Sequence, residues 1–254
     1  MNLRRLVELA SRNRTFTRRM PARYGNRPLV VSPDAALRWL KPGMAAFEPG
    51  LLAIIDHFIM PGMVAWDVGA NVGVFAYPTA HISGAKVVGV EPDPFLTGLL
   101  RRTNALPANA DLDVEIVGAA IGDRDGIARL RIAGRGRSTS GIEGAIISSQ
   151  HGQTREVITV PMLALDTLLA DFPPPGFLKV DVEGAELLLL AGARRVLADV
   201  KPIILIEVNG RTWPEASTTL LALGYELFNG DCPPEERVPA SAETCNLLAI
   251  PATQ

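Results

Sequence analysis

A glycine-rich turn is the first feature of the chain that could carry chemistry. It reads Asp67-Val68-Gly69-Ala70-Asn71-Val72-Gly73 and follows a short apolar run. Glycines let the chain turn tightly and bring backbone N–H groups close to a ligand, and a following helix would direct its positive end there. Glu91 ends the next predicted strand, where a carboxylate can accept hydrogen bonds from ribose hydroxyls. Together these signals predict a nucleoside-binding site.

A dinucleotide is the first alternative ligand for this turn. Its site needs Gly-x-Gly-x-x-Gly, so that the backbone can approach a pyrophosphate, whereas here Gly69 and Gly73 flank Asn71. S-adenosylmethionine (SAM) has no phosphate and offers a carboxylate, an ammonium group, a ribose and an adenine. We expect Asp67 to accept a hydrogen bond from the ammonium group and the helix N-terminus, near Val72, to bind the carboxylate. A tight strand–helix connection with no ligand is the remaining alternative.

A charged strand end is the second feature that could carry chemistry. Lys179, Asp181 and Glu183 alternate along the fourth predicted strand, and Glu207 ends the fifth. Alternating residues project to one side of a strand, and open α/β sheets bind ligands at the carboxyl ends of their strands. A carboxylate there can remove the proton of an alcohol acceptor as a general base. Asp181 is the first candidate and Glu183 the second, with Lys179 as their ion-pair partner.

Three other interpretations of these charges stay open. Lys179 and Asp181 could form only a structural ion pair, and Glu183 and Glu186 could stabilise a helix dipole in its first turn. One or two carboxylates also suffice to hold magnesium, although we predict no resident metal. The histidines lack ligand-like spacing, and only His151 is kept as a reserve base. Arg135 and Arg137 could grip an anionic acceptor or simply be solvated.

The elements that must position these residues alternate between strands and helices. Short apolar runs predict strands at residues 64–68, 86–90, 114–117, 177–182, 203–208, 225–228 and 246–250. Repeated strand–helix–strand units predict an α/β fold with a mainly parallel, doubly wound sheet. Residues 126–165 break that rhythm as a hairpin-like excursion before strand 4. We divide the chain into an N-terminal basic, helical extension, residues 1–60, and one domain over residues 61–254.

The composition is that of an ordinary globular protein, with 48% hydrophobic residues and a net charge of −2. The charge gives no general attraction for nucleic acid. Arginines crowd the first 27 residues, which fits a targeting presequence, a basic surface helix or a solvated terminal segment. No run is long and apolar enough for a transmembrane segment. Cys232 and Cys245 are the only cysteines and favour reduced thiols in a cytoplasmic protein.

The chain also resembles a known family, the FkbM-type SAM-dependent methyltransferases. The resemblance spans roughly residues 45–250, and the first 40 residues lie outside it. It is carried by Trp66–Gly73, Val90-Glu91-Pro92, Asn104, Ala119–Asp123, Val160-Pro161, Leu165–Leu169, Leu178–Glu186 and Ile204–Glu207. The first of these motifs marks SAM enzymes in general. The stretch Lys-x-Asp-Val-Glu-Gly-Ala-Glu at residues 179–186 is what indicates this family.

The resemblance implies a class I methyltransferase (Rossmann-like) fold, with a seven-stranded sheet whose last strand is antiparallel. It implies SAM as cofactor and methylation of a hydroxyl oxygen on a small-molecule or glycan acceptor. By position, the methionine part would be held by Asp67, Gly69, Asn71 and Gly73, the ribose by Glu91, and the adenine would be flanked by Ala119 and Ala120. Many SAM enzymes carry an acid at the position of Ala119, so Asp123 is a candidate substitute.

Two other functions remain as alternatives to this one. A nucleic-acid methyltransferase is favoured only by the N-terminal arginines, since Asp181-Val182-Glu183-Gly184 stands where base-modifying enzymes often carry Asn/Asp-Pro-Pro-aromatic. A non-catalytic SAM-binding module is the other, and the carboxylate cluster argues against it. The acceptor itself is not encoded in any motif, because one fold supports many chemistries.

Overall fold

Seven short strands form the central sheet of the computed structural model, which describes residues 12–134, 136–145 and 154–252. In chain order the strands of this sheet are β3 (Ala65–Val68), β4 (Val87–Val90), β5 (Val114–Val117), β10 (Phe177–Val180), β11 (Ile203–Glu207), β12 (Tyr225–Asn229) and β13 (Asn246–Pro251). β3, β4 and β10 are buried along their whole length. Continuous apolar sequences suit strands that are covered on both faces.

The order of the strands is β12-β13-β11-β10-β3-β4-β5. Neighbouring strands from β11 to β5 run parallel, and β13 is antiparallel to both β11 and β12. This is the class I methyltransferase sheet, so the predicted fold class and its antiparallel last strand are confirmed. The carboxyl ends of β3, β4 and β10 meet at one edge, and that edge carries the candidate site.

Two apolar clusters and five α-helices, counted among the described residues, cover the sheet. The helices are α1 (Pro49–Phe58), α2 (Ala76–Ser83), α3 (Pro94–Asn104), α4 (Glu186–Ala191) and α5 (Trp213–Ala222). Side chains alternate between the two faces of each strand. Ala65 and Phe177 therefore pack with α1, α2 and α3 on one face, while Trp66 and Leu178 pack with α4 and α5 on the other. The sheet is covered on both sides, as a doubly wound fold requires.

The N-terminal segment differs from the helical extension that the sequence suggested. Of residues 12–60, only α1 is an α-helix; β1 (Phe16–Arg19) and β2 (Pro28–Val31) form an antiparallel hairpin. The prediction of helices is wrong at β1 and β2, whereas α1 and the 3-10 helices Ala22–Tyr24, Leu37–Leu40 and Gly43–Ala46 agree with it. The hairpin obtains its burial from the rest of the domain, because Leu29 and Val31 are fully buried in the cluster that contains Phe177. Tertiary packing of this kind overrides local sequence patterns.

The arginines of this segment contact the chain itself. The Arg18 guanidinium donates to the Trp39 and Lys41 carbonyls at 2.7 and 2.8 Å. Arg27 makes two hydrogen bonds of 2.6 Å to Asp111 beyond α3, and Arg23 pairs with Asp56 of α1. In the described part of the segment, Arg27 therefore holds the hairpin against the domain, and Arg18 and Arg23 hold it against later residues of the segment itself. Arg4 and Arg5 lie outside the described residues.

The excursion forms a second, smaller sheet. It contains β6 (Ala120–Gly122), β7 (Gly126–Ala133), β8 (Gly141–Ile142) and β9 (Thr154–Ala164), in the order β6-β9-β7-β8. β7 and β9 are antiparallel from Gly126↔Met162 to Ala133↔Thr154, which confirms the predicted hairpin. Arg135 and His151, two residues named from the sequence, lie outside the described part of the chain. Within that part, no helix is long and apolar enough to cross a membrane.

Candidate active site

The glycine-rich turn has the tight geometry that its sequence predicts. Gly69 has a φ of 80°, and a Cβ built there would lie 1.8 Å from the carbonyl oxygen of Asp181. Gly73 has a φ of 87°, and its Cβ would meet the Tyr77 ring at 2.4 Å. Glycine is required at both positions because the turn is left-handed and lies directly against its neighbours. The turn thereby abuts the residue after β10.

The helix after this turn begins later than predicted. We expected it from about Val72, whereas α2 starts at Ala76. Several N–H groups of the intervening turn are already used: those of Gly69 and Ala70 donate to the Val90 carbonyl, and that of Gly73 donates to the Ala70 carbonyl. The N-terminus of α2 therefore does not lie at the turn itself, and the proposed carboxylate contact through that helix end loses its geometric basis.

Glu91 lies at the floor of a cavity beside this turn. Its Oε2 accepts from the Asn71 N–H and its Oε1 from the Asp93 N–H, both at 2.9 Å. Burial raises the pKa of Glu91 to about 7, although the two backbone N–H donors oppose the shift. The Asn71 Oδ1 atom is buried without a hydrogen-bond partner. Glu91 and Asn71 both line this cavity, and a buried amide oxygen without a partner is a group that a polar ligand could satisfy.

The cavity, called here the nucleoside cavity, is open to solvent on one side, and about 580 Å³ of space lies among its walls with that open part included. Its walls include Gly69, Asn71 and Glu91 on one side and the apolar residues Leu96, Ala119, Ala120, Ile121, Leu130 and Ile142 on the other. Ala119 and Ala120 are buried in this wall, at the position where we predicted that the adenine binds. Asp123 is exposed and pairs with Arg124 outside the cavity, so it is wrong as a substitute acid.

Asp67 does not line the cavity, in contrast to its predicted role. It is fully buried in β3 and stands beside Lys179 in the β3–β10 register. Lys179 Nζ lies 3.2 Å from Asp67 Oδ1 and 3.4 Å from Asp181 Oδ2, and donates to the Gly69 carbonyl at 2.8 Å. Although burial opposes its charge, these carboxylates raise the pKa of Lys179 above its usual range. Asp67 therefore holds Lys179, and Lys179 holds the turn and Asp181.

Asp181 and Glu183 lie just past the end of β10, because that strand stops at Val180 and not at residue 182 as predicted. Glu183 has a φ of 51° in the turn before α4. Burial and the charges of Asp181, Glu207 and Glu186 raise the pKa of Glu183 to about 8. Partial enclosure and the Asp181 charge likewise raise the pKa of Glu207 to about 7. The structure brings together the carboxylates that the sequence pattern selected.

Glu186 has a local role in this cluster. Its Oε1 accepts from the Gly184 N–H at 2.7 Å at the start of α4, which fits the interpretation that an acid stabilises a helix N-terminus. Glu183 precedes that helix and is not used in this way. Among the described residues, no group of three His, Cys, Asp or Glu side chains is arranged to hold a metal ion.

A second, more open space adjoins the nucleoside cavity and is called here the outer cleft. Asn71, Ser138, Asp181 and Glu183 line both spaces. The remaining walls of the outer cleft come from the N-terminal segment, the excursion and the end of β11: Ala36, Leu37, Arg38, Lys41, Glu48, Thr139 and Glu207. The sequence alone did not place these N-terminal residues in the site. Their only signal was their charge, and nothing in the pattern related them to the strand ends.

Arg137 differs from the anion-binding role that was considered for it. Its guanidinium makes two hydrogen bonds to Asp93, of 2.8 and 2.9 Å, and contacts Asp34 at 3.3 Å. Only 8% of the residue is exposed. Its charge is thus committed to internal carboxylates, and it is not available for an anionic acceptor.

The family follows from a match over most of this architecture. Residues 67–227 match the family model of the methyltransferase FkbM domain, which is more than half of the chain. The chain belongs to the FkbM methyltransferase family. The resemblance inferred from the sequence is therefore confirmed, and SAM is the expected cofactor of this methyltransferase. No curated protein sequence matches the chain.

Several solved structures are similar to this chain at low sequence identity. The FkbM methyltransferase from Methylobacillus flagellatus KT is 17% identical with a TM-score of 0.49, over 74% of this chain and 43% of that one. A TehB-like SAM-dependent methyltransferase from Corynebacterium glutamicum is 15% identical, TM-score 0.46, over 91% and 97%. Aeropyrum pernix fibrillarin, solved with SAM, is 13% identical, TM-score 0.45, over 79% and 71%. The present chain spans less than half the length of the FkbM structure.

The residues of the nucleoside cavity fit SAM. Glu91 can accept the ribose hydroxyls, the apolar wall at Ala119 and Ala120 suits the adenine, and the unsatisfied Asn71 amide oxygen can accept from the ammonium group. The Gly69 turn leaves no room for a side chain at the side of the cavity nearest Asp181. When bound, SAM supplies an electrophilic methyl group.

Proposed function

We propose that the protein transfers a methyl group from SAM to a hydroxyl oxygen of a small molecule or glycan. The observation that carries this is the position of Asp181 and Glu183, which line both the nucleoside cavity and the outer cleft. An acceptor bound in the outer cleft would thus have its hydroxyl between the methyl donor and a carboxylate. Positioning of this kind contributes much of the rate of an in-line displacement.

Asp181 is the proposed general base. Lys179 lies 3.4 Å away and holds this carboxylate in position. Glu183, whose pKa burial raises to about 8, is mostly protonated at neutral pH and can donate a hydrogen bond to the acceptor oxygen. Two carboxyl groups with different environments can in this way serve as acceptor and donor in one site. Glu183 becomes the alternative base at higher pH, so the two assignments predict opposite pH profiles.

The contacts of the N-terminal arginines support a small acceptor over nucleic acid. Arg18, Arg23 and Arg27 are engaged with carbonyls and carboxylates of the chain, and a phosphate backbone would have to compete for them. Both cysteines have free thiols, which suits the cytoplasmic location that we propose. For the whole protein we propose methyl transfer to this class of acceptor, a small molecule or glycan.

A labelled-methyl experiment tests the proposal. The protein is incubated with ¹³C-methyl SAM and fractionated cell extract, and the labelled product is isolated and examined by NMR. We expect the label in a methoxy group, and its formation should depend on Asp181. Label on nitrogen, carbon or nucleic acid would refute the proposed acceptor class while leaving the family assignment intact.

A further inference from the structure

Arg137 joins three segments that are distant in the sequence. It belongs to the excursion, it pairs with Asp93 just after β4, and it pairs with Asp34 in the N-terminal segment. The pairing with Asp34 is reinforced by backbone bonds, since the N–H groups of Arg137 and Ser138 donate to the Asp34 and Ala35 carbonyls at 2.9 and 3.1 Å. The guanidinium also lies 4.7 Å from the Phe95 ring centre. Its neighbours therefore fix its position from several directions.

Asp93 links this arginine to the ribose side of the nucleoside cavity. Its backbone N–H donates to Glu91 Oε1 at 2.9 Å, and its Oδ1 caps α3 by accepting from the Phe95 N–H at 2.8 Å. The same carboxylate receives two hydrogen bonds from Arg137. A bidentate arginine–carboxylate pair restricts both position and orientation. Movement of Arg137 would thus be transmitted to the N–H group that orients Glu91.

The residues that follow Arg137 lie over the nucleoside cavity. Ser138, Ser140, Gly141 and Ile142 line it opposite Glu91, and Ser138 also lines the outer cleft together with Ala36 and Arg38. Both spaces therefore have a wall that is attached through Arg137. The buried Arg137–Asp93 pair is costly to form, because two charges must leave water. Its contribution is therefore the fixed position that it gives to the segments it joins.

We propose that Arg137 is a positioning residue that assembles the cofactor site, by holding residues 138–142 over the nucleoside cavity and Asp93 beneath Glu91. The pairing with Asp34 extends the same frame to the N-terminal wall of the outer cleft. Arg155, 3.0 Å from Asp34, holds that carboxylate in place from β9. The inference concerns the binding of SAM and is independent of which acceptor atom is methylated.

The first test is SAM titration calorimetry on Arg137→Gln, Arg137→Lys and a matched control, Arg129→Gln. Arg129 is an excursion arginine that also forms an ion pair, 3.0 Å from Glu143, but its side chain is 63% exposed and its ion pair involves neither Asp93 nor Asp34. We expect the dissociation constant for SAM to rise at least tenfold in Arg137→Gln, less in Arg137→Lys, and less than twofold in Arg129→Gln. A folded Arg137→Gln variant with wild-type affinity would overturn the proposal.

A second variant separates positioning from simple loss of a counter-charge. Asp93→Asn/Arg137→Gln removes both charges, while asparagine still caps a helix well and the backbone N–H to Glu91 remains. If Arg137 acts by positioning, this double variant still binds SAM at least tenfold more weakly than wild type. Recovery of wild-type affinity would show that Arg137→Gln fails only because it leaves Asp93 unpaired, and would overturn the proposal.

The pH dependence of SAM binding provides a readout that a general structural role would not move. The charged groups that face Glu91 are Asp93 after its own strand and Lys179 from β10, and Arg137 offsets the Asp93 charge. In Arg137→Gln the free Asp93 charge raises the pKa of Glu91 further. The pH below which SAM binding weakens should therefore rise relative to wild type, and Arg129→Gln should not change it. An unchanged profile in folded Arg137→Gln would overturn the link to Glu91.

Discussion

Lys179→Met tests the buried charge network on which the site is built. Lys179 contacts Asp67 at 3.2 Å and Asp181 at 3.4 Å, and donates to the Gly69 carbonyl at 2.8 Å. Asp67 is fully buried, so the variant leaves a carboxylate with no counter-charge. Breaking a buried pair from one side costs about 3–5 kcal/mol. At about 2–4 °C per kcal/mol for a chain of this size, the melting temperature should fall by roughly 6–20 °C.

Urea denaturation measures the loss in the free energy of unfolding, and two further variants are compared with Lys179→Met. Lys86→Met is the matched control, because Lys86 also contacts two carboxylates, Asp113 and Glu115, at 3.0 Å, but near the surface; exposed pairs contribute less than about 1 kcal/mol. Asp67→Asn/Lys179→Met removes both buried charges and should recover at least half of the loss. If Lys179→Met costs no more than Lys86→Met, the reasoning about Asp67 is refuted.

The remaining predictions concern the cofactor, the turn and pH. Glu91→Gln should weaken SAM binding about ten- to a hundredfold in calorimetry, since a charge-assisted hydrogen bond is lost; unchanged affinity would place the ribose elsewhere. Gly69→Ala should cost more than about 1 kcal/mol and reduce SAM binding, because its Cβ meets Asp181 at 1.8 Å. Gly84→Ala is its control, with positive φ but nothing within 4 Å, and an equal effect would refute the close-contact argument. Burial raises the pKa of Glu91 to about 7 and that of Glu183 to about 8 from 4.5. The folded state thus binds more protons between pH 4.5 and 8, and the ligand-free protein should lose stability as pH rises through that window; flat thermal unfolding over that window would contradict the shifts.

The central sheet was predictable because its strands are buried on both faces. Runs such as Phe177–Val180 and Ile203–Glu207 are apolar almost throughout, and turn residues bound them. The site residues at the strand ends followed from the same register, since Asp181 and Glu207 come at the carboxyl ends of neighbouring parallel strands. Topology alone brings such residues together.

The N-terminal hairpin could not be predicted in this way. The strand Phe16–Arg19 is half exposed and carries two arginines, so its sequence resembles a solvated segment. Its stability comes from contacts far along the chain, such as Arg27 with Asp111. The buried pairing of Arg137 with Asp93 and Asp34 is non-local for the same reason, and no sequence spacing marks it.

Asp67 belongs to the predicted cofactor motif, but its side chain does not line the nucleoside cavity. Its position at the end of β3 fits a direct ligand contact, but strand alternation turns its side chain to the face that carries Lys179. Cavity-facing polar contacts come instead from Asn71 and Glu91. The distinction depends on which face of the sheet borders the cavity, and that requires the packed structure.

The most direct test of the central claim is the turnover of Asp181→Asn once a labelled product is in hand. The change keeps shape and hydrogen-bonding capacity but removes basicity, so the methyl-transfer rate should fall about 10²- to 10⁴-fold, with SAM affinity nearly unchanged. Asp171→Asn is the matched control, because Asp171 is exposed and lines neither the nucleoside cavity nor the outer cleft, and it should retain most activity. The wild-type rate should also fall as pH rises through about 8, where Glu183 loses its proton. Near-wild-type turnover of Asp181→Asn, or a rate that rises through pH 8 and loses that rise in Glu183→Gln, would contradict Asp181 as the base.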